Sequence, residues 1–206
     1  MGMKREKSEK AAPLVANVDD IRLAFVGKVP EDDHPYSWSA ILNGYDPNLL
    51  DECPNVFIRE YLARARRHNF GIRGVRVTHI WCDNGEDASR IARISRIPHV
   101  VRAAEDVIGQ VDAVVIPTDI GSEHLDRARP FVDAGIPVLI DKPMTLSAEH
   151  LRQFVRWHEE GKHLMSSSCM RYAKEFASCR SRLRELGELR FATATTCRCG
   201  TFMNSG

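Results

Sequence analysis

The chain has 206 residues, 43% hydrophobic and 28% charged, which suits one ordinary domain or one domain with part of a second. Lys and Arg total 29 against 28 acids, so the net charge of +1 gives no electrostatic reason to expect nucleic acid or an anionic membrane as partner. No apolar run approaches the roughly 18 residues of a membrane span.

Residues 1–19 are polar, lack the apolar stretch of a signal peptide, and read as a loose tail. The six cysteines, Cys53, Cys82, Cys169, Cys179, Cys197 and Cys199, contain no C-x-x-C pair. Reduced thiols in a cytoplasmic protein, without a metal, are the expectation.

Strand and helix signals then alternate. IRLAFVG (21–27) is a strand, and a short helix follows over 37–43. Residues 46–74 form an insertion holding a helix over 56–67. VRVTHIWCD (75–83) is the second strand, followed by a helix over 86–96 with Ala88, Ile91 and Ala92 on one side. A short strand (99–101) and a short helix (103–109) come next.

VDAVVIPT (111–118) is nearly continuous apolar sequence, as in a parallel strand buried on both faces. Ser122 can cap the helix that runs to Ala134 despite Pro130, and Gly135 ends it. PVLID (137–141) is the fifth strand. Ser147 caps a helix with Leu151, Phe154 and Val155 facing inward, and HLMSSS (163–168) is the sixth strand. A helix over 173–186 and an alternating strand over 188–196 close the series.

Such repeats imply an α/β fold, a doubly wound parallel sheet of the Rossmann type. The dinucleotide-binding domain spans 20–172; 173–206 holds a linker helix and, as the family resemblance carried by 111–143 implies, the first strand of a truncated α+β second domain. Ligands of these sheets bind beyond the carboxyl ends of the strands. The residues to weigh are therefore Gly27 onward, Asp83, Thr118 and Asp119 through Gly121, Asp141 to Pro143, and Cys169 to Tyr172.

After Gly27 the usual G-x-G-x-x-G spacing is absent, since the next glycine is Gly44. The start of the 37–43 helix offers backbone N–H groups in its place, with hydroxyls from Ser37 and Ser39 and with Trp38 nearby. Glu31, Asp32 and Asp33 are then expected to face solvent. The other reading is that this segment packs on the insertion and the phosphate site is lost. Asp83 ends the second strand, where an acid accepts from the adenosine ribose hydroxyls and repels a 2′-phosphate, favouring NAD over NADP. It reads equally as a turn residue before Asn84-Gly85.

The stretch 111–143 carries a resemblance. Asp112 to Pro117, then His124, Gly135 and Asp141-Lys142-Pro143, with Cys169-Met170-Arg171-Tyr172 further on, resemble the glucose–fructose oxidoreductase / inositol dehydrogenase / MocA family of NAD(P)-dependent oxidoreductases. The resemblance covers about residues 20–196. It implies a sugar or polyol substrate and places Lys142 against the nicotinamide, where it would orient a hydroxyl or help move its proton. His124 would lie over the cofactor crevice, or else cap or pack a helix. Asp141 stands where the family more often has Glu, and Arg171 falls at the family's next landmark.

The family's catalytic Asp and His lie in its second domain, beyond residue 206, so cofactor binding without turnover is the expectation. The unpaired strand 188–196 would favour a homo-oligomer. A nucleotide-binding module without catalysis is the alternative.

Overall fold

The computed structural model describes residues 14–65, 70–176, 182–188, 190–191 and 193. The chain divides into two compact units, residues 1–167 and 168–206.

Among its described residues the first unit holds six parallel strands: β1 (Ile21–Val26), β2 (Val75–Trp81), β3 (His99–Val100), β4 (Ala113–Ile116), β5 (Val138–Ile140) and β6 (Leu164–Ser166). Their order is β3-β2-β1-β4-β5-β6. The order reverses between β1 and β4, which opens a crevice at their carboxyl ends.

Alternation along the strands builds two cores. Ala24 and Val26 of β1, with Val114, Ile116, Val138 and Ile140, face α4 (His124–Asp133) and α5 (Ala148–Glu159), meeting Leu125, Phe131, Phe154 and Trp157. Phe25, Val77, Ile80 and Val115 face the other way, toward Tyr36 of α1 (His34–Asn43) and Ile91 and Ile94 of α3 (Gly85–Ile94). The helix α2 (Val56–Arg64) belongs to the insertion and seats Leu62 against Ala40 and Leu50. Asn55 starts it, its side-chain oxygen accepting from the amides of Phe57 and Ile58.

Several local expectations change. The first helix begins at His34 rather than at residue 37, because Pro35 at its start fits helical φ and its missing N–H is no loss there. Ser122 does not cap α4: Glu123 holds the cap position, without a side-chain cap bond. Ser147 does cap α5, accepting from the His150 amide, but Leu151 and Val155 are about half exposed while Phe154 and Trp157 are buried. The segment 103–109 is a 3-10 turn, Ala104–Val107.

In the second unit Cys169–Tyr172 and Leu183–Leu186 are 3-10 turns. The expected 173–186 helix falls partly on residues 177–181, outside the described ones. Most of the expected strand 188–196 also lies outside them, and Glu188, Arg190, Phe191 and Thr193 are not in a strand. Of the expected tail, residues 1–13 lie outside the described residues. Among the described residues no helix is long and apolar enough to cross a membrane.

Candidate functional site

The carboxyl ends of β1, β2, β4 and β5 converge on three side-chain groups. The first fixes the backbone. Gly27 leaves β1 at φ +103°, and a Cβ there would lie 2.9 Å from Thr118 Cγ2 and 3.2 Å from Arg127 Nη1. Only glycine fits both the conformation and the space. Thr118 is fully buried. His124, also fully buried, sets Nε2 2.8 Å from the Thr118 carbonyl oxygen and Nδ1 3.1 Å from that of Met144. It ties the turn after β4 to the turn after β5. Asp119 is exposed.

The second group centres on Arg127 of α4. Its guanidinium donates to Asp83 Oδ1 at 2.8 Å and, through Nε and Nη2, to Glu123 Oε2 at 3.0 and 2.8 Å. It stands 5.9 Å from the Trp81 ring centroid. Burial works to lower the Arg127 pKa, but Asp83 and Glu123 outweigh it and the pKa is raised. Arg127 therefore spans from α4, over Gly27, to the end of β2.

The third group lies between the β1–α1 turn and β5. His34 Nδ1 is 3.1 Å from Asp32 Oδ1 and 2.7 Å from Asp141 Oδ2. His34 stacks on Trp38 with centroids 4.9 Å apart and planes within 13°. Burial pushes the Asp32 carboxyl up to about 6. For His34, burial pulls the pKa down, but the flanking Asp141 and Asp32 outweigh it and the net shift is upward. Lys142 and Pro143 follow Asp141 on the exposed surface. Arg171 belongs to the second unit, in the turn Cys169–Tyr172.

Two expectations about the phosphate cradle are corrected. Asp32 and Asp33 do not face solvent. Asp32 is buried, and Asp33, with a side chain only 11% exposed, pairs with Lys28 Nζ at 3.3 Å. Nor does the start of α1 present hydroxyls to a ligand. Ser39 is fully buried and donates to the Pro35 carbonyl while lying 2.7 Å from Ser95 Oγ of the turn after α3. Ser37 donates to the His34 carbonyl.

The first-turn amides are engaged as well. His34 N–H donates to Asp32 Oδ1, Tyr36 and Ser37 N–H reach the Asp33 carbonyl, and Pro35 has no N–H. A pyrophosphate held by a helix N-terminus needs free N–H groups and no facing carboxylate. Neither condition is met, so the dinucleotide implied by the sequence does not fit at the start of α1. Asp83 lies past the end of β2, bonded to Arg127, a cation placed over Gly27. Sequence reading turns Asp32 to solvent and does not single out Arg127 or His34 for the site; the Glu123–Arg127 spacing of four is the one available signal.

Residues 55–168 match the family described as an oxidoreductase family with NAD-binding Rossmann fold, which unites glucose–fructose oxidoreductase, inositol dehydrogenase and MocA. The match starts after β1 and α1, the segment that departs from the glycine fingerprint. No curated protein matches the chain.

Among solved structures, myo-inositol 2-dehydrogenase from Lactobacillus plantarum is 12% identical with a TM-score of 0.56, over 81% of this chain and 41% of that one. Scyllo-inositol dehydrogenase from Lactobacillus casei, solved with NAD(H) and scyllo-inositol, is 13% identical with a TM-score of 0.55, over 81% and 41%. UDP-N-acetylglucosamine 3-dehydrogenase from Acidithiobacillus ferrooxidans is 19% identical with a TM-score of 0.52, over 82% and 43%. The chain thus spans about two-fifths of these structures. By the family match over more than half its length, the chain belongs to the glucose–fructose oxidoreductase / inositol dehydrogenase / MocA family and carries its NAD-binding Rossmann domain.

Proposed function

We propose that this domain serves an oxidoreductase acting on a hydroxyl-bearing carbon of a sugar or polyol, and that it holds its dinucleotide through Asp83 and Arg127 rather than through a glycine turn. The observation that carries the reading is the Arg127 guanidinium lying over Gly27 while bonded to Asp83. Bound nicotinamide would supply the hydride acceptor or donor.

The chain's own residues have distinct tasks in this reading. Arg127, whose Nε and Nη2 are bonded to Glu123 and Asp83, offers its Nη1 to a phosphate oxygen. Asp83 accepts from the adenosine ribose hydroxyls, which keeps NAD ahead of NADP. Lys142, exposed just past β5, orients the substrate hydroxyl and helps move its proton. The sugar or polyol class rests on the family and on the inositol and UDP-sugar dehydrogenases among the structural neighbours.

A second reading, a nucleotide-binding module without catalysis, is favoured by the occupied amides at the start of α1. Both require dinucleotide binding. Calorimetric titration of the 206-residue chain with NAD and NADH tests this. Saturable binding, weakened by Arg127→Ala and by Asp83→Ala, is expected. Absence of saturable binding at millimolar concentration, or binding indifferent to both substitutions, overturns the proposal.

A further inference from the structure

Asp32, His34 and Asp141 belong to two segments far apart in sequence, yet one ligand atom from each lies within 4.8 Å of the others. The Asp32 and Asp141 side chains are only 4% and 3% exposed. Buried carboxylates of this kind are normally satisfied by cations or donors. Here Asp141 Oδ2 and His34 Nδ1 approach to 2.7 Å without the alignment of a hydrogen bond, and Asp32 Oδ2 is buried with no partner. The other carboxylate oxygens are spoken for: Asp32 Oδ1 accepts from His34 N–H and Asp141 Oδ1 from Lys142 N–H.

From this we infer that Asp32, His34 and Asp141 form a site for one divalent transition-metal cation. Two oxygens and one imidazole nitrogen are a donor set for zinc, cobalt or manganese rather than for calcium or magnesium, which favour oxygen throughout. Metal–ligand bonds of roughly 2.0–2.2 Å put neighbouring ligand atoms about 3 Å apart, close to the 2.7 Å between His34 Nδ1 and Asp141 Oδ2. The stack on Trp38 holds the ring in that orientation. The His34 side chain is 33% exposed, while its Nδ1 is buried beside the two carboxylates. The two carboxylates and a neutral imidazole carry a charge that a divalent ion neutralises. Bound there, the cation would pin the β1–α1 turn to the end of β5. Among the described residues no cysteine joins this cluster, so cysteine spacing gave no sign of the site.

The inference is independent of the dinucleotide reading, and its test uses metal alone. The chain, stripped with chelator, is titrated with Zn²⁺ by calorimetry and with Co²⁺ by visible absorption. One equivalent per chain is expected, with cobalt d–d bands and a rise in Tm. His34→Gln and Asp141→Asn should each weaken binding by roughly 100-fold or more and abolish the bands. Circular dichroism checks that each variant is folded, and Asp32→Asn supplies a third variant should one of them not be. His79 and His99, whose rings lie 4.6 Å apart on β2 and β3, are the rival histidines, and His79→Ala should leave the titration unchanged. No stoichiometric binding by the wild type, retention in folded His34→Gln, or loss in folded His79→Ala would overturn the inference.

Discussion

Arg127 Nη2 donates to Asp83 Oδ1 at 2.8 Å, joining a helix on one side of the crevice to the end of a strand on the other. The Asp83 carboxylate that the sequence presents as a rejecter of 2′-phosphate thus has a cation beside it. Arg127→Ala should therefore weaken NADP more than NAD, widening the preference for NAD by about tenfold, in line with one lost charge-assisted hydrogen bond. Asp83→Ala should weaken NAD by about 1–3 kcal/mol. Parallel titrations of both variants with both cofactors read this out, and an unchanged NAD-to-NADP ratio in Arg127→Ala would remove Arg127 from the adenosine end.

Gly27→Ala combines two costs. The residue sits at φ +103°, and the new Cβ would meet Thr118 Cγ2 at 2.9 Å. Thr118 is fully buried, so it has little room to yield. Backbone strain and overpacking together should destabilise the chain by about 2–4 kcal/mol. A lowered urea midpoint with unchanged slope is the expected signature; a midpoint equal to wild type would mean the crevice can open at no cost.

Ser39 separates the two accounts of α1. Its hydroxyl is buried against Ser95 and the Pro35 carbonyl. Ser39→Ala should cost about 1–2 kcal/mol of stability and leave NADH affinity where it was. Ser39→Glu buries an unpaired charge and should prevent folding. Loss of NADH affinity in a folded Ser39→Ala protein would return the helix start to the cofactor site.

Arg22 and Asp112 clamp the opposite end of the sheet. The Asp112 carboxylate accepts from Arg22 N, Nε and Nη2. The bonded Arg22 guanidinium holds the Asp112 pKa below its ordinary value. A carboxyl depressed in the folded state contributes stability above its unfolded pKa of about 3.9 and loses it as pH falls through the folded value. Asp112→Asn should therefore unfold at lower urea than wild type at pH 7, and the two midpoints should converge as pH drops below about 4. A gap that persists unchanged at acid pH would show that the amide loss is steric and not one of charge.

What the sequence determined by itself was local and periodic. The apolar run Leu23–Val26 and the continuous run of 111–118 mark β1 and β4, because a strand's side chains point by turns to the two faces and both faces are covered here. Ser147 is legible as a cap, since a cap bonds to amides two or three residues away. Gly27, Asp83, Asp141 and Lys142 could be placed at strand ends for the same reason.

Tertiary structure alone decided where the polar side chains of the turns point. Asp32 turns inward because His34 meets Asp141 from a distant strand, and Ser39 is buried because Ser95 lies against it. Arg127 crosses Gly27 because a residue without a side chain leaves space there. On α5, Trp157 is covered and Leu151 is not, because the neighbouring helix and strands meet one side of the helix only. Periodicity gives the sides of an element; which side is covered, and by which charge, depends on partners that the chain brings together only when it folds.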